Sequence, residues 1–189
     1  MTFRSFVALL TLCAAALTAG AADDENPYKN TKVGDYAKYA LKAKLGFLPL
    51  DGTVTQTVTE KTDKEATLKI VLSAGGNDTP FPDQKIDLTK PLDPSKGIAL
   101  PGFGNAKLEK LKDGKEKIKV GNKEYDAEWT TYKVKVANKD VASEGDLKVW
   151  VAQDVSVRLV KLTLSITLGK QDIQATMELT ELGSGGGKK

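Results

Sequence analysis

The sequence predicts an all-β protein: a single curved antiparallel sheet forming a half-barrel or β-sandwich of about 8–10 strands. Three observations predict it. Apolar and polar residues alternate in segment after segment, the period that turns one side of a strand toward a core. Turn signals rich in Gly, Pro, Asn and Asp divide those segments at short intervals. Past the amino-terminal segment, no stretch sustains the 3.6-residue apolar spacing of a helix. The 189 residues are 40% hydrophobic and 28% charged, with a formal net charge of +3. That is the profile of one ordinary folded domain. A domain of this size buries roughly 70% of its unfolded surface, so it needs no metal or disulfide staple.

The first element is a targeting signal over residues 1–21. Arg4 supplies the basic start, residues 6–17 an apolar run, and Ala19, Gly20 and Ala21 the small residues of a cleavage site. Cleavage is expected before Ala22, with the bond before Asp23 as the alternative. The run is too short to span a bilayer, and an acidic segment follows it; an uncleaved anchor is the competing reading. Cys13 lies inside the run behind Leu12, where a lipidated cysteine needs a small residue before it, so it leaves with the signal. The exported chain then has no cysteine and must rely on its core alone. An extended segment is expected over 22–34, one β domain over 35–182 and a disordered tail, "GSGGGKK", over 183–189.

Within the domain, "YAKYALKAK" (36–44) alternates, with Ala37, Tyr39, Leu41 and Ala43 on one face. "TVTQTVTE" (53–60) sets Val54 and Val58 against a row of threonines. A "KTDKE" turn leads to "ATLKIVLSA" (66–74), with Ala66, Leu68, Ile70 and Leu72 inward, so the two make a hairpin. "QKIDL" (84–88) is a short strand. "TKPLDPSKGIALPGFGNA" (89–106) has no period and reads as a long loop. A meander follows over 107–136, with Asp113-Gly114 and Gly121-Asn122 as turn signals between lysine-rich strands. A helical turn before Asp113, from the spacing of Leu108 and Leu111, is the alternative there. "DLKVWVA", "SVRLVKLTLSITL" and "DIQATMELTEL" are the last strands, with Gly169-Lys170 a tight turn. The apolar alternation of "SVRLVKLTLSITL" changes phase between Leu159 and Val160, as a β-bulge would make it, and a similar break falls between Trp129 and Tyr132. Bulged long strands imply a strongly curved sheet.

Composition excludes several chemistries. The chain has no histidine, which removes Ser–His and Cys–His pairs, histidine-ligated metals and the usual near-neutral base. Without a mature cysteine, thiolate sites and redox chemistry go too. Phosphate-binding glycine loops, the EF-hand pattern and G-x-S-x-G are absent. A carboxylate-only hydrolase is what remains of enzymology, and the expectation is no enzyme, no cofactor and no metal.

The candidate binding residues are Trp129, Trp150, Leu162, Leu164 and Arg158, as lining of a concave apolar face. The plainer reading of Trp150 is a packing residue in a hairpin, with Gln153 and Asp154 as its turn. Arg158, the one arginine outside the amino-terminal segment, suits a carboxylate or phosphate headgroup, or else an ion pair with Asp154 or Glu178. The threonines at 53, 55, 57 and 59 form one ice-binding-like row, but such faces repeat it over many strands; a solvated face is the plainer reading. The lysines between 107 and 123 are interleaved with acids and lack aromatics until Tyr125, which argues against nucleic acid and for a solvated edge. Sugar binding is disfavoured because aromatics are only 6% of the chain.

The segments "NPYKNTKVGDYAKY", "VTQTVTEKTDKEATLK", "QKIDLTKPLDP", "KVGNKEYDAEWTTYKVK" and "LKVWVAQDVSVRLVKLTL" together resemble small secreted proteins common in planctomycete bacteria. Ser156 and Arg158 stand where that group tends to carry Pro and Gly. The W-x-x-x-D element before a long apolar strand is more distantly similar to Lol-type lipoprotein carriers, whose half-barrels wrap an apolar cavity for acyl chains. That resemblance implies a fold more than a function. The expected function is an exported, non-enzymatic protein binding an apolar small molecule or lipid on its concave sheet. The alternative is a structural or interaction module of the cell envelope, acting through its surface on a protein partner.

Overall fold

The computed structural model describes residues 26–90, 98–100, 104–138, 141–155, 159–168 and 171–185. A 3-10 turn over Pro27–Asn30 precedes eleven strands among the described residues. They are β1 (Asp35–Leu45), β2 (Leu48–Lys61), β3 (Glu65–Ala74), β4 (Asn77–Pro80), β5 (Gln84–Asp87), β6 (Ile98–Leu100), β7 (Gly104–Val120), β8 (Lys123–Asn138), β9 (Val141–Val151), β10 (Leu159–Leu168) and β11 (Gln171–Ser184).

All join one antiparallel sheet in the order β4-β3-β2-β1-β11-β10-β9-β8-β7-β6, with β5 beside β4 on the outer edge of β3. The sheet is open: its two ends do not pair with each other. The chain therefore starts in the middle of the sheet and meanders out to one edge. It then passes to the other edge and meanders back, until β11 pairs with β1 from Asp35↔Ser184 to Leu45↔Ile173.

The sheet cannot be flat. Ten strands abreast at about 4.8 Å would span about 43 Å. The eight virtual bonds from Lys90, past the β5 edge, to Ile98 in β6 reach about 29 Å at most. The edges must curl toward each other, and β7 indeed touches β11 although three strands stand between them. Bulges mark the bends, between Lys38 and Tyr39, Val58 and Glu60, Lys110 and Lys112, and Leu159 and Lys161.

The alternation read from sequence is what the core uses. Ala37, Tyr39 and Leu41 of β1, Val54 and Val58 of β2, and Ala66, Leu68, Ile70 and Leu72 of β3 are all buried in one apolar cluster. It continues through Tyr132, Val134, Leu147, Val149, Leu162, Leu164, Ile173 and Met177. The 3-10 turn adds Tyr28 to it. Asn26 holds that turn in place: its side-chain amide donates to the carbonyls of Asp87 (3.0 Å) and Lys90 (3.1 Å), and its Oδ1 accepts from the Tyr28 amide (3.1 Å).

Several expectations change. Asp113-Gly114 is no turn: β7 runs unbroken from Gly104 to Val120, and there is no helical turn before Asp113. The expected loop over 89–106 contains β6, which pairs with the first residues of β7, while 91–97 and 101–103 lie outside the described residues. β4 was not foreseen, and β11 runs through Ser184, into the expected tail. The signal segment, the Gly169-Lys170 turn and Arg158 also lie outside the described residues. β7 beyond Ala106 has no described strand on its outer side, and that free edge carries Lys107, Lys110, Lys112, Lys115, Lys117 and Lys119. Lysines and a bulge are how natural sheets discourage further pairing.

Candidate functional site

Strand alternation decides where the predicted residues go. On β9, Leu147, Val149 and Val151 face the core, so Trp150 points to the polar face with Lys148 and Asp146. The register sets Trp129 directly opposite Trp150, and Gly114 opposite Trp129. Leu162 and Leu164 pair with Val149 and Leu147; they are 0% and 3% exposed and belong to the core. The structure thus brings the two tryptophans together, and the two leucines together, on opposite faces of one sheet.

The tryptophan cluster is built on a close approach. A Cβ at residue 114 would lie 2.8 Å from the Trp129 ring, so only glycine lets the indole rest on the β7 backbone. The Lys148 ammonium sits 4.4 Å from the centre of the Trp129 ring and 4.3 Å from that of Trp150, a cation–π pairing with both. The Trp150 indole N–H donates to Glu116 Oε1 (2.5 Å), which also accepts from Lys148 (3.1 Å). The Trp150 N–H first, and Lys148 second, hold the Glu116 carboxyl below the usual carboxylate range. Lys161, also over Trp150, pairs with Glu178 (2.6 Å). This leaves Trp150 only 8% exposed. The cluster is charge-compensated and closed over its aromatic faces, which is packing rather than an open stacking platform. A groove of about 520 Å³ runs beside it, lined by Leu111, Thr131, Lys148, Thr163 and Thr176 among others.

A second cleft, of about 670 Å³, lies along the outer part of the β7–β8 hairpin. Its acids are matched by lysines: Lys115 with Glu128 (2.6 Å), Lys117 with Glu124 and Asp126 (3.6 Å each), and Lys123 with Asp154 (3.2 Å). Among the described residues no group of three or more acids, histidines or cysteines is placed to hold a metal ion.

Sequence reading missed the most exposed apolar feature. β1 and β2 are joined by a two-residue turn, Gly46-Phe47, beside the paired Leu45 and Leu48. Phe47 is 97% exposed and Leu48 70%, while Leu50 turns back against the core. The tip is held rather than loose: the Gly46 amide donates to the Asp172 carbonyl at the start of β11 (2.8 Å). Below it is a cleft of about 720 Å³ lined by Lys44, Phe47, Leu48, Gln171, Asp172 and Gln174. The available signal was the run "GFLPL", too apolar for a turn; periodicity alone does not report that such a run is exposed.

No known family profile matches the chain, and no curated protein matches it. Solved structures that align with the chain include two. One is a protein of Bacteroides fragilis assigned as exported, with a YmcC-like fold: it has 9% identity and a TM-score of 0.46, over 86% of this chain and all of that one. The other is a DUF1329 family protein from Desulfovibrio piger: it has 10% identity and a TM-score of 0.27, over 97% of this chain and 93% of that one.

Proposed function

We propose that this chain is an exported, non-enzymatic binding protein of the cell envelope that works through its surface, attached by the tip of the β1–β2 hairpin. The observation that carries the reading is the exposure of Phe47 and Leu48 side by side on a hydrogen-bonded turn. Single exposed apolar residues are ordinary. Two adjacent large ones, fixed at the end of the sheet's central hairpin, form a contact feature. The double variant Phe47→Ser/Leu48→Ser tests it. After gentle cell fractionation the variant is expected in the soluble exported fraction and the parent chain with the envelope. Equal distribution of the two, with equal melting temperatures, would overturn the reading.

An apolar ligand on the concave face is the second reading. It is supported by the curl of the sheet, whose two edge strands do not pair with each other. Against it, Leu162 and Leu164 are buried members of the apolar core cluster rather than residues open on a concave face. Native mass spectrometry of the exported chain decides it. A mass excess released by organic solvent would support a ligand, and the bare chain mass would leave the surface reading alone.

A further inference from the structure

Resting on that surface reading, we infer that the hairpin tip docks on a lipid bilayer, with Phe47 and Leu48 inserted among the headgroups and the sheet standing on its β1–β2 end. Three features favour a bilayer over a protein partner. The first is area. Phe47, Leu48 and the exposed Pro49 make a small convex point; a stable protein interface takes about 800 Å² from each side, with matched shape. A fluid interface needs no matching surface and accepts a protruding apolar point.

The second feature is rigidity. The turn is closed by the Leu45↔Leu48 pair and by the bond from the Gly46 amide to Asp172. The backbone that carries the two side chains is therefore already ordered before binding, which lowers the ordering cost. The third is the chemistry just behind the point. Lys42 and Lys44 are exposed on β1 and make no ion pair among the described residues. Their long stems can run along the inserted residues while the ammonium groups stay with lipid phosphates. Asp51, paired in register with Lys42, and Asp172 bring the described charge at this end close to balance. The attraction is therefore apolar, and it does not depend on anionic lipid or on low salt.

The test is co-sedimentation of the purified exported chain with protein-free vesicles of phosphatidylcholine alone, its amino terminus defined by intact mass. The parent chain should sediment with the vesicles about equally at low and high salt, and equally when anionic lipid is added. Phe47→Ser/Leu48→Ser should lower the partition coefficient about tenfold or more. Phe47→Trp should retain binding. Val33→Ser, an exposed apolar residue just before β1, at the other end of that strand, should leave it unchanged. Loss of binding in high salt, or dependence on anionic lipid, would overturn apolar docking. Absence of parent-chain binding would overturn the bilayer proposal. If the tip variant still left the envelope fraction in that case, a protein receptor would replace the bilayer and the surface reading would stand. If it did not, both would fall.

Discussion

Glu116 shows how one side chain couples the aromatic and charged parts of the polar face, because its Oε1 receives both the Trp150 indole N–H and Lys148. Its carboxyl is held below the usual range, so the contribution to stability is present above the unfolded carboxylate value, about 4.3. It is lost as pH falls through the lower folded value. The melting temperature of the parent chain should exceed that of Glu116→Gln at neutral pH, and the gap should close as the pH is lowered toward 2. A gap independent of pH would show that the carboxylate charge is irrelevant. Inside the core, the Tyr39 hydroxyl is buried and has no hydrogen-bond partner among the described residues; burial pushes its pKa up, the Tyr28 hydroxyl nearby adding to it. Tyr39→Phe should therefore be neutral or stabilising, since it removes an unmet polar group and keeps the ring. A loss above about 1 kcal/mol in denaturant titration would reveal a partner. Leu162→Ala, by contrast, should cost about 2–5 kcal/mol, whereas Leu111→Ser, half exposed at the β7 bulge, should stay within about 0.5 kcal/mol.

Strand pairing turns these local facts into geometry, and Gly145 is where it is tightest. A Cβ there would lie 2.4 Å from the Ser165 carbonyl oxygen and 2.6 Å from the Ile166 Cβ, and the register holds Gly145 between Val134 and Ile166. The obstacle is backbone that cannot swing away, so Gly145→Ala should cost about 3 kcal/mol. At Gly114 the obstacle is the Trp129 ring, which can turn; Gly114→Ala should cost about 1 kcal/mol and change the tryptophan fluorescence. Similar costs for the two would sink this distinction. The same contrast explains what was legible in the sequence. The phase change near Leu159 was readable because a bulge rewrites the local pattern, and Val160 is indeed the extra residue opposite Val151 and Trp150. Asp113-Gly114 misled because a turn signal is local, whereas β8 offers β7 a partner along its whole length and a tryptophan to cover the glycine. β4 escaped because four residues containing Asn, Asp and Pro look like a loop. The pairing of Trp129 with Trp150 depends on register between strands, which no single segment encodes. Phe47 was overlooked because apolar character usually means burial, and here it does not.

At the scale of the molecule, the architecture is two meanders joined along β1 and β11, and the join lies at the centre of the sheet. A chain ending before Gln171 would leave β1 and β10 facing each other without the strand that bonds them both. Such a truncation should fail to fold, as seen by loss of strand circular dichroism and by rapid proteolysis; a protected, cooperatively melting product would refute the idea that β11 completes the core. The join also has a temporal meaning. Residues 35 and 184 must find each other across almost the entire domain, so the decisive pairing carries the largest loop-closure cost and comes late. While the chain is still leaving the ribosome, its amino-terminal strand has one neighbour and an apolar side with nothing to complete it. For a chain exported as an unfolded thread, as proposed above, that delay is useful, because the pairing that closes the sheet cannot form until the last strand has been made.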